Sequence, residues 1–381
     1  GARAPRSRGG GVVSLSPARG AAAGGDRVVV AMSGGVDSSV AAALLVDSGC
    51  EAIGVTMKLS ESGSRCCSLE DADDARRVAE RLGIRFYVAN YVEAFGREVI
   101  ESFADAYLAA RTPIPCVTCN QSFKFDHLLE RAKVFGAERV ATGHYARITR
   151  EPATGRARLH RAVDREKDQS YFLFSLSQEQ LRHASFPIGE MTKHQVREQA
   201  RALGLATAEK AESQEICFVP DGDYARVVER LRPQASRLRG EIVDEQGRVL
   251  GEHRGVHHFT VGQRHGLGIS ADRRLYVLRL DPRSQQVVVG PASALDCGGA
   301  RVEGVSWIAG EVPSRPVRAR VQVRHRHKPV LAEIVPESAD AVRIRFEEPV
   351  RAVAPGQAAV FYDPDLDEEV LGGGWLCAGL S

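Results

Sequence analysis

The sequence predicts an α/β N-terminal domain, a doubly wound parallel sheet, followed by two smaller mainly-β modules, the last of them barrel-like. Three observations lead there. The chain has 381 residues, too many for one ordinary domain and enough for two or three. Short β-branched runs alternate with helix-spaced segments from residue 26 to about residue 217, as in a parallel sheet with helices on both faces. From Gly240 onward the texture changes to short alternating runs cut by Gly, Pro and Asp, which read as strands and turns.

In chain order, RVVVAM at 27–32 is a strand, SGGVDSS at 33–39 a turn, and VAAALLVDSG a helix stopped at Gly49. EAIGVTM at 51–57 is the next strand, 71–82 a helix, 85–89 extended, 92–110 a helix, 120–135 an amphipathic helix and 138–142 a strand. The later strands are expected in EIVDEQGRVLGEH, RLYVLRLDPRSQQVVVG, RARVQVRHRH, AVRIRFEEPV and GQAAVFYD. The expected units are a leader at 1–25, an α/β unit at 26–219, a central β-rich unit at 220–292 and a C-terminal β unit at 293–381.

Composition excludes several classes. Hydrophobic residues at 43% and charged residues at 26% match a soluble globular chain. No apolar run approaches the roughly 18 residues of a membrane-spanning helix. The net charge is 51 − 49 = +2, so a nucleic-acid partner has to be met by a local patch. Eight cysteines in this length do not make a secreted disulfide scaffold and indicate an intracellular, cytoplasmic chain with thiols, catalytic groups or metal ligands. Residues 1–25 carry Arg3, Arg6, Arg8 and Arg19, seven glycines and no acid. They read first as a disordered extension or a misplaced start and, as the alternative, as an organellar transit peptide.

The strand-turn-helix opening carries the first chemistry. Glycines between a strand and a helix N-terminus let phosphate oxygens approach backbone N–H groups along the helix dipole. SGGVDSS lacks the lysine of the common P-loop and the spacing of the dinucleotide fingerprint. The bland alternative is a helix capped by Ser33 or Asp37 after a tight turn. The second signal is TPIPCVTCN at 112–120. Two prolines suggest a rigid extended approach and Asn120 an N-cap, which would put Cys119 beside a helix start that favours thiolate. The third is SQEICF at 213–218, with Cys217. Each cysteine alone also fits a small buried apolar residue.

SGGVDS resembles the pyrophosphate loop of the ATP pyrophosphatase superfamily. Together with TPxPxxxCNxxxKF, TGHYAR (142–147), KDQSYFL (167–173), SQEICF, GQRHGLGI (262–269) and PGQAAVFY (355–362), it resembles the tRNA-specific 2-thiouridylases over roughly residues 26–381. That resemblance implies an adenine nucleotide hydrolase-like first domain and ATP-dependent replacement of O2 of the wobble uridine by sulfur. It implies a loop of Ala31, Met32, Ser33, Gly34, Gly35, Val36, Asp37 and Ser38 on ATP, with Met57 and Gly143 beside the nucleotide and Mg²⁺ on the phosphates. Cys119 would be the nucleophile and Cys217 the persulfide carrier, the two able to form a disulfide. Ile114, Pro115 and Cys116 would meet the target base. His144, Lys167, Asp168, Gln169, Arg324, His325 and Gln357 match tRNA-contact positions. The partners implied are tRNAs for Lys, Glu and Gln, and a sulfur-relay protein or cysteine desulfurase.

The sequence departs from the commonest family pattern at Cys116, where many members carry Asp as the proposed acid or base. A thiol with an ordinary pKa of about 8.5 serves that task poorly at neutral pH. Other members place a four-iron four-sulfur cluster on a Cys-x-x-Cys plus the later cysteine, which here would be Cys116, Cys119 and Cys217. Both readings stay open at this point. So do two for the row Arg318, Arg320, Gln322, Arg324, Arg326 and Lys328, which alternates with apolar residues: a phosphate track on one strand face or a solvated surface. His257, His258, Arg264 and His265 form a second basic cluster, and Cys66–Cys67 a weak metal signal. Cys50, Cys297 and Cys377 read as structural. A small-molecule ligase of the same superfamily and a non-catalytic RNA-binding protein are the competing classes.

Overall fold

The computed structural model describes residues 26–60, 69–211, 216–219 and 221–380. The expected leader, the Cys66–Cys67 pair and Ser213–Glu215 of SQEICF lie outside the described residues. Strands β1 (Arg27–Ala31), β2 (Glu51–Lys58), β3 (Arg85–Asn90), β4 (Arg139–Thr142) and, after a hairpin of β5 (Ala146–Arg150) and β6 (Ala157–Arg161), β7 (Ala184–Ser185) are short apolar runs. All but the hairpin form one parallel sheet in the order β3-β2-β1-β4-β7.

Successive side chains of a strand point to opposite faces, so a strand buried on both sides needs a continuous apolar run. β1 supplies one. Val28 and Val30 pack with helices α1 (Val36–Asp47) and α2 (Leu69–Leu82). Val29 and Ala31 pack on the other face with Phe103 and Phe123 from helical runs 92–108 and 115–134. The expected doubly wound sheet is present.

The second of those runs corrects the sequence reading. The helix begins at Pro115, with Ile114 in the capping position, and Asn120 lies inside it. Proline suits the first helical position because its missing N–H is an orphan there anyway. Only Pro113 belongs to the extended approach. Cys116 therefore sits in the first turn, and Cys119 a turn later at the head of a π-helical stretch, Cys119–His127.

The remaining strands make two β units. β8 (Gly240–Val243), β9 (Val249–His253), β10 (Tyr276–Asp281) and β11 (Gln286–Gly290) form a four-stranded sheet ordered β10-β11-β8-β9 around Ile242, Val277, Val287 and Val289. β12 (Asp296–Trp307), β13 (Val317–Gln322), β14 (Val330–Pro336), β15 (Ala341–Arg351), β16 (Ala358–Tyr362) and β17 (Glu369–Leu380) run β12-β15-β14-β13-β16-β17. A β12–β17 pairing closes them into a six-stranded barrel. The hairpin β5–β6 joins this barrel's sheet, because β6 pairs with β17 through Leu159–Val370 and His160–Glu369. Arg161 lies at that junction with a side chain only 9% exposed, bonded to Asp168 (2.7 Å), Asp367 (3.3 Å) and Gln322 (3.1 Å), with Tyr362 beneath its guanidinium.

The cationic row also needs correction. β13 ends at Gln322, whose side chain is buried on Arg161, and the following residues turn, with Arg326 at φ 64°. Arg318 is paired with Glu347 at 2.9 Å, and Arg320 donates to the Pro364 carbonyl. The alternation that suggested a single charged face stops halfway. No helix among the described residues is long and apolar enough to cross a membrane.

Candidate functional site

At the carboxyl end of β1 the chain turns through Ser33, Gly34 and Gly35 into α1. Gly34 has φ +70°, and a β-carbon there would strike the Asp71 carbonyl, so glycine is required twice over. Gly35 occupies the N-cap with extended backbone and no side-chain cap. This excludes the capped-helix alternative, since Ser38 Oγ instead accepts from the Ser33 N–H at 3.2 Å and donates to the Gly35 carbonyl. The first-turn N–H groups, positive by the helix dipole, are left for an anion. Gly143 closes on the same turn from β4: a β-carbon there would lie 2.5 Å from the Ser38 nitrogen.

Asp37 is held from two sides. Lys193 Nζ meets its carboxylate at 2.8 and 2.9 Å, and the Tyr145 hydroxyl donates to it at 2.8 Å. Thr207 Oγ1 donates to Ser39 Oγ behind it. The loop that lacks its own lysine thus has one supplied from helix Lys193–Ala202.

A cavity of about 340 Å³ lies against this turn. Ala31, Met32, Ser33, Asp37, Ser38, Met57 and Gly143 line one side; Gly34 and Gly35 lie in the turn itself, and Val36 opens α1. Cys116, Cys119 and Cys217 line the other, with Asn120, Lys124 and His144. The sheet, the helix starting at Pro115 and the segment 216–219 therefore bring the expected phosphate loop and all three expected cysteines to one space. Lys124 Nζ donates to Asn120 Oδ1 (2.9 Å) and meets His144 Nε2 (3.3 Å). Nε2 must then accept, so the Nδ1 proton goes to Thr142 Oγ1. Burial, then the Lys124 charge, holds the His144 pKa well below the usual imidazole value, which keeps the ring neutral.

A wider groove of about 820 Å³ shares Pro115, Cys116, Gln169, Phe172 and Ile216 with that cavity. Ile114, Lys167, Asp168, His325 and Gln357 line it too. Its far wall carries His257 and His258. The expected RNA residues behave differently from one another. Asp168 has a side chain 4% exposed, spent on Arg161, Ser170 and the Ala162 N–H, so its carboxylate organises the loop. Gln357 Nε2 donates to the Thr112 carbonyl at 2.9 Å, beside a Thr112 N–H to Pro355 carbonyl bond. Between them lies Gly356, at φ +87°, where a β-carbon would come within 2.8 Å of the Thr112 nitrogen. The barrel thereby clasps the segment that leads into the helix bearing Cys116. Arg324 is directed to the Arg351 carbonyl, while the His325 ring packs tilted against Phe172, centroids 4.7 Å apart. Arg264 donates to His265, and both are exposed.

Sequence reasoning missed Lys193, Tyr145, Asn120 and Lys124. Tyr145 and Lys124 lie inside the motifs without an assigned role, and Asn120 reads there only as an N-cap; Lys193 lies 156 residues from its partner and had no local signal. Cys297 and Cys377 are half-buried, and burial raises both thiol pKa values.

Three family models match in succession: a tRNA methyl transferase HUP domain over residues 26–221, a tRNA methyl transferase PRC-barrel domain over 227–291, and an aminomethyltransferase beta-barrel domain over 298–376. A tRNA-specific 2-thiouridylase MnmA from Solibacter usitatus is 51% identical over 92% of this chain and 98% of its own length. Relatives of the same name from Geotalea uraniireducens and Geobacter metallireducens are 51% and 50% identical, over 92% and 93% of this chain and 94% and 98% of theirs. With the first model covering more than half the chain and these relatives nearly all of it, the chain belongs to the tRNA-specific 2-thiouridylase family.

Proposed function

We infer that the protein is a tRNA-uridine 2-sulfurtransferase, which uses ATP to replace O2 of the wobble uridine (position 34) with sulfur and releases AMP and pyrophosphate. The observation that carries this is the shared cavity: an uncapped phosphate-type helix start faces Cys119 and Cys217, and the cavity adjoins a groove wide enough for a nucleotide. A carbonyl oxygen is a poor leaving group, so it first attacks the α-phosphorus of ATP and expels pyrophosphate. The α1 N-terminus neutralises the phosphates, and Asp37 would be the residue to hold Mg²⁺, which would balance phosphate charge there.

Cys217, carrying a persulfide, attacks C2 through its outer sulfur, and AMP leaves with the oxygen. The Cys119 thiolate then attacks the inner sulfur, forming a Cys119–Cys217 disulfide and leaving the thiocarbonyl on the base. An external thiol reductant resets the pair. Ile114, Pro115 and Cys116 bound the base, and neutral His144 accepts from Lys124 beside it. Lys167, Gln169 and His325 flank the RNA, with Asp168 and Gln357 setting the loops that do so. Persulfide sulfur would come from a relay protein or cysteine desulfurase, in a reducing cytoplasm, and the tRNAs are those for Lys, Glu and Gln.

A second reading rests on Cys116 lining the same cavity as the other two thiols. Three thiolates suit three irons of a four-iron four-sulfur cluster, whose fourth iron would offer a position for sulfide. Incubation with ATP, a persulfide donor and unmodified tRNA should yield AMP and 2-thiouridine together. AMP without tRNA would point to a ligase, and no AMP to an RNA-binding protein. Anaerobically purified protein that is colourless, iron-free and fully active with the persulfide donor would eliminate the cluster.

A further inference from the structure

The far wall of the groove carries a group of side chains that the thiolation chemistry does not use. Glu229, on helix Tyr224–Leu231, and His257 and His258, in the single turn Val256–His258, place three ligand atoms within 4.8 Å of one another. Both imidazoles aim Nε2 at the same oxygen, Glu229 Oε1, at 3.5 Å from His257 and 3.3 Å from His258. Adjacent residues do not ordinarily converge. Here Gly255, at φ +115°, makes the turn, and a β-carbon on it would collide with the His257 ring. The two rings lie side by side, centroids 4.4 Å apart.

These distances separate two explanations. A charge-assisted N–H to carboxylate bond is about 2.7–2.9 Å, shorter than either contact. A tetrahedral ion with ligands at about 2.0–2.1 Å has ligand–ligand edges of about 3.3–3.4 Å, which both contacts approach. The His257 side chain is wholly buried, and its Nε2 makes only one long approach, 3.5 Å, to Glu229. A buried ring nitrogen facing a carboxylate and a second imidazole at such distances is poorly satisfied by hydrogen bonding alone, and an ion between the three groups would satisfy it. His253 is excluded as a ligand, because its Nδ1 accepts from the Gly255 N–H and its Nε2 donates to the Gln285 carbonyl.

We propose that Glu229, His257 and His258 form a binding site for a divalent transition-metal ion of the zinc type, with a fourth coordination position turned to the groove. Two neutral imidazoles and one carboxylate suit such an ion better than Mg²⁺ or Ca²⁺, which prefer all-oxygen shells. The bound ion carries a residual charge of about +1 into the groove that holds Lys167 and Arg326, and ties the helix bearing Glu229 to the four-stranded β unit.

The test uses Co²⁺ with metal-stripped full-length protein in which Cys116, Cys119 and Cys217 are replaced by Ser, so that no thiolate of the cavity competes. One equivalent of Co²⁺ should bind with the d–d absorption of a four-coordinate nitrogen–oxygen site and raise the melting temperature. His258→Ala and Glu229→Gln, both partly exposed and tolerable to the fold, should each weaken binding by more than about tenfold, since even supporting partners of a ligand are worth that much. Absence of one-equivalent binding overturns the proposal, as does binding that both substitutions leave unchanged while circular dichroism shows them folded.

Discussion

Replacing Gly143 by alanine tests the phosphate-turn geometry with one carbon atom. The backbone of Gly143 is not in the left-handed region, so alanine brings no torsional penalty; its effect is steric alone. The added β-carbon would lie 2.5 Å from the Ser38 nitrogen, 2.7 Å from the Asp37 carbonyl carbon and 2.9 Å from the Ser38 α-carbon. Ordinary contact begins near 3.4 Å, so β4 and the start of α1 must part by almost 1 Å. All three atoms are backbone and none can rotate away. Overpacking of this kind costs about 1–3 kcal/mol of stability, and a displacement of about 1 Å at a reacting centre costs on the order of 100-fold in rate. tRNA-dependent AMP release at saturating ATP should therefore fall about 100-fold, while tRNA affinity in a filter assay stays within a few fold, since the groove lies beyond the cavity. Gly96→Ala is the matched control: φ −54° is helical and nothing lies within 4 Å of the new carbon. It should leave the rate unchanged and add about 0.5–1 kcal/mol. A Gly143→Ala protein with wild-type AMP release would show that the turn does not hold the phosphates.

Asp37→Ala should abolish AMP formation while leaving tRNA binding within a few fold; it also strips Lys193, 11% exposed, of its carboxylate, so a lower melting temperature should accompany the loss. Lys167→Ala and Arg326→Ala should each flatten the log–log salt dependence of tRNA binding by about 0.7–0.9, whereas Arg318→Ala, whose guanidinium is on Glu347, should leave the slope alone. Histidine NMR should show the His144 ring resisting protonation well below pH 6.5. A folded-state pKa below the unfolded value makes the unfolded chain the better proton binder, so this contribution to stability is present above pH 6.5 and is lost as pH falls toward the folded value, by about 1.4 kcal/mol per unit. His144→Gln should flatten that acid limb of the melting curve; an unchanged limb would refute the neutral assignment.

What was legible in the sequence was local. SGGVDSS stands where a strand runs straight into a helix, and its glycines announce a turn that neither side chain nor sequence distance obscures. The cysteine helix was misread by five residues, because Pro115 fits an extended segment and a first helical turn equally well, and only the fold selects between them. The charged row from Arg318 to Lys328 kept its period of two past the end of the strand, since alternation records composition and not the turn at Arg324–Arg326. Lys193 on Asp37, Gln357 on Thr112 and Leu159 beside Val370 were out of reach, because each joins segments far apart in sequence whose own surroundings do not mention the partner.

The pairing of β6 with β17 has a consequence for synthesis. Residue 160 leaves the ribosome some 210 residues before residue 370, an interval of roughly 10–40 s at about 5–20 residues per second. For that time β6 exposes an edge of unpaired backbone groups, a template for wrong partners. The segment from Thr112 into the cysteine helix likewise waits for Gln357 and Pro355. A nascent chain can complete the Ser33–Gly35 turn early, but it cannot fix the approach to its cysteine helix until the last strands are made, so the two walls of the cavity are finished at different times.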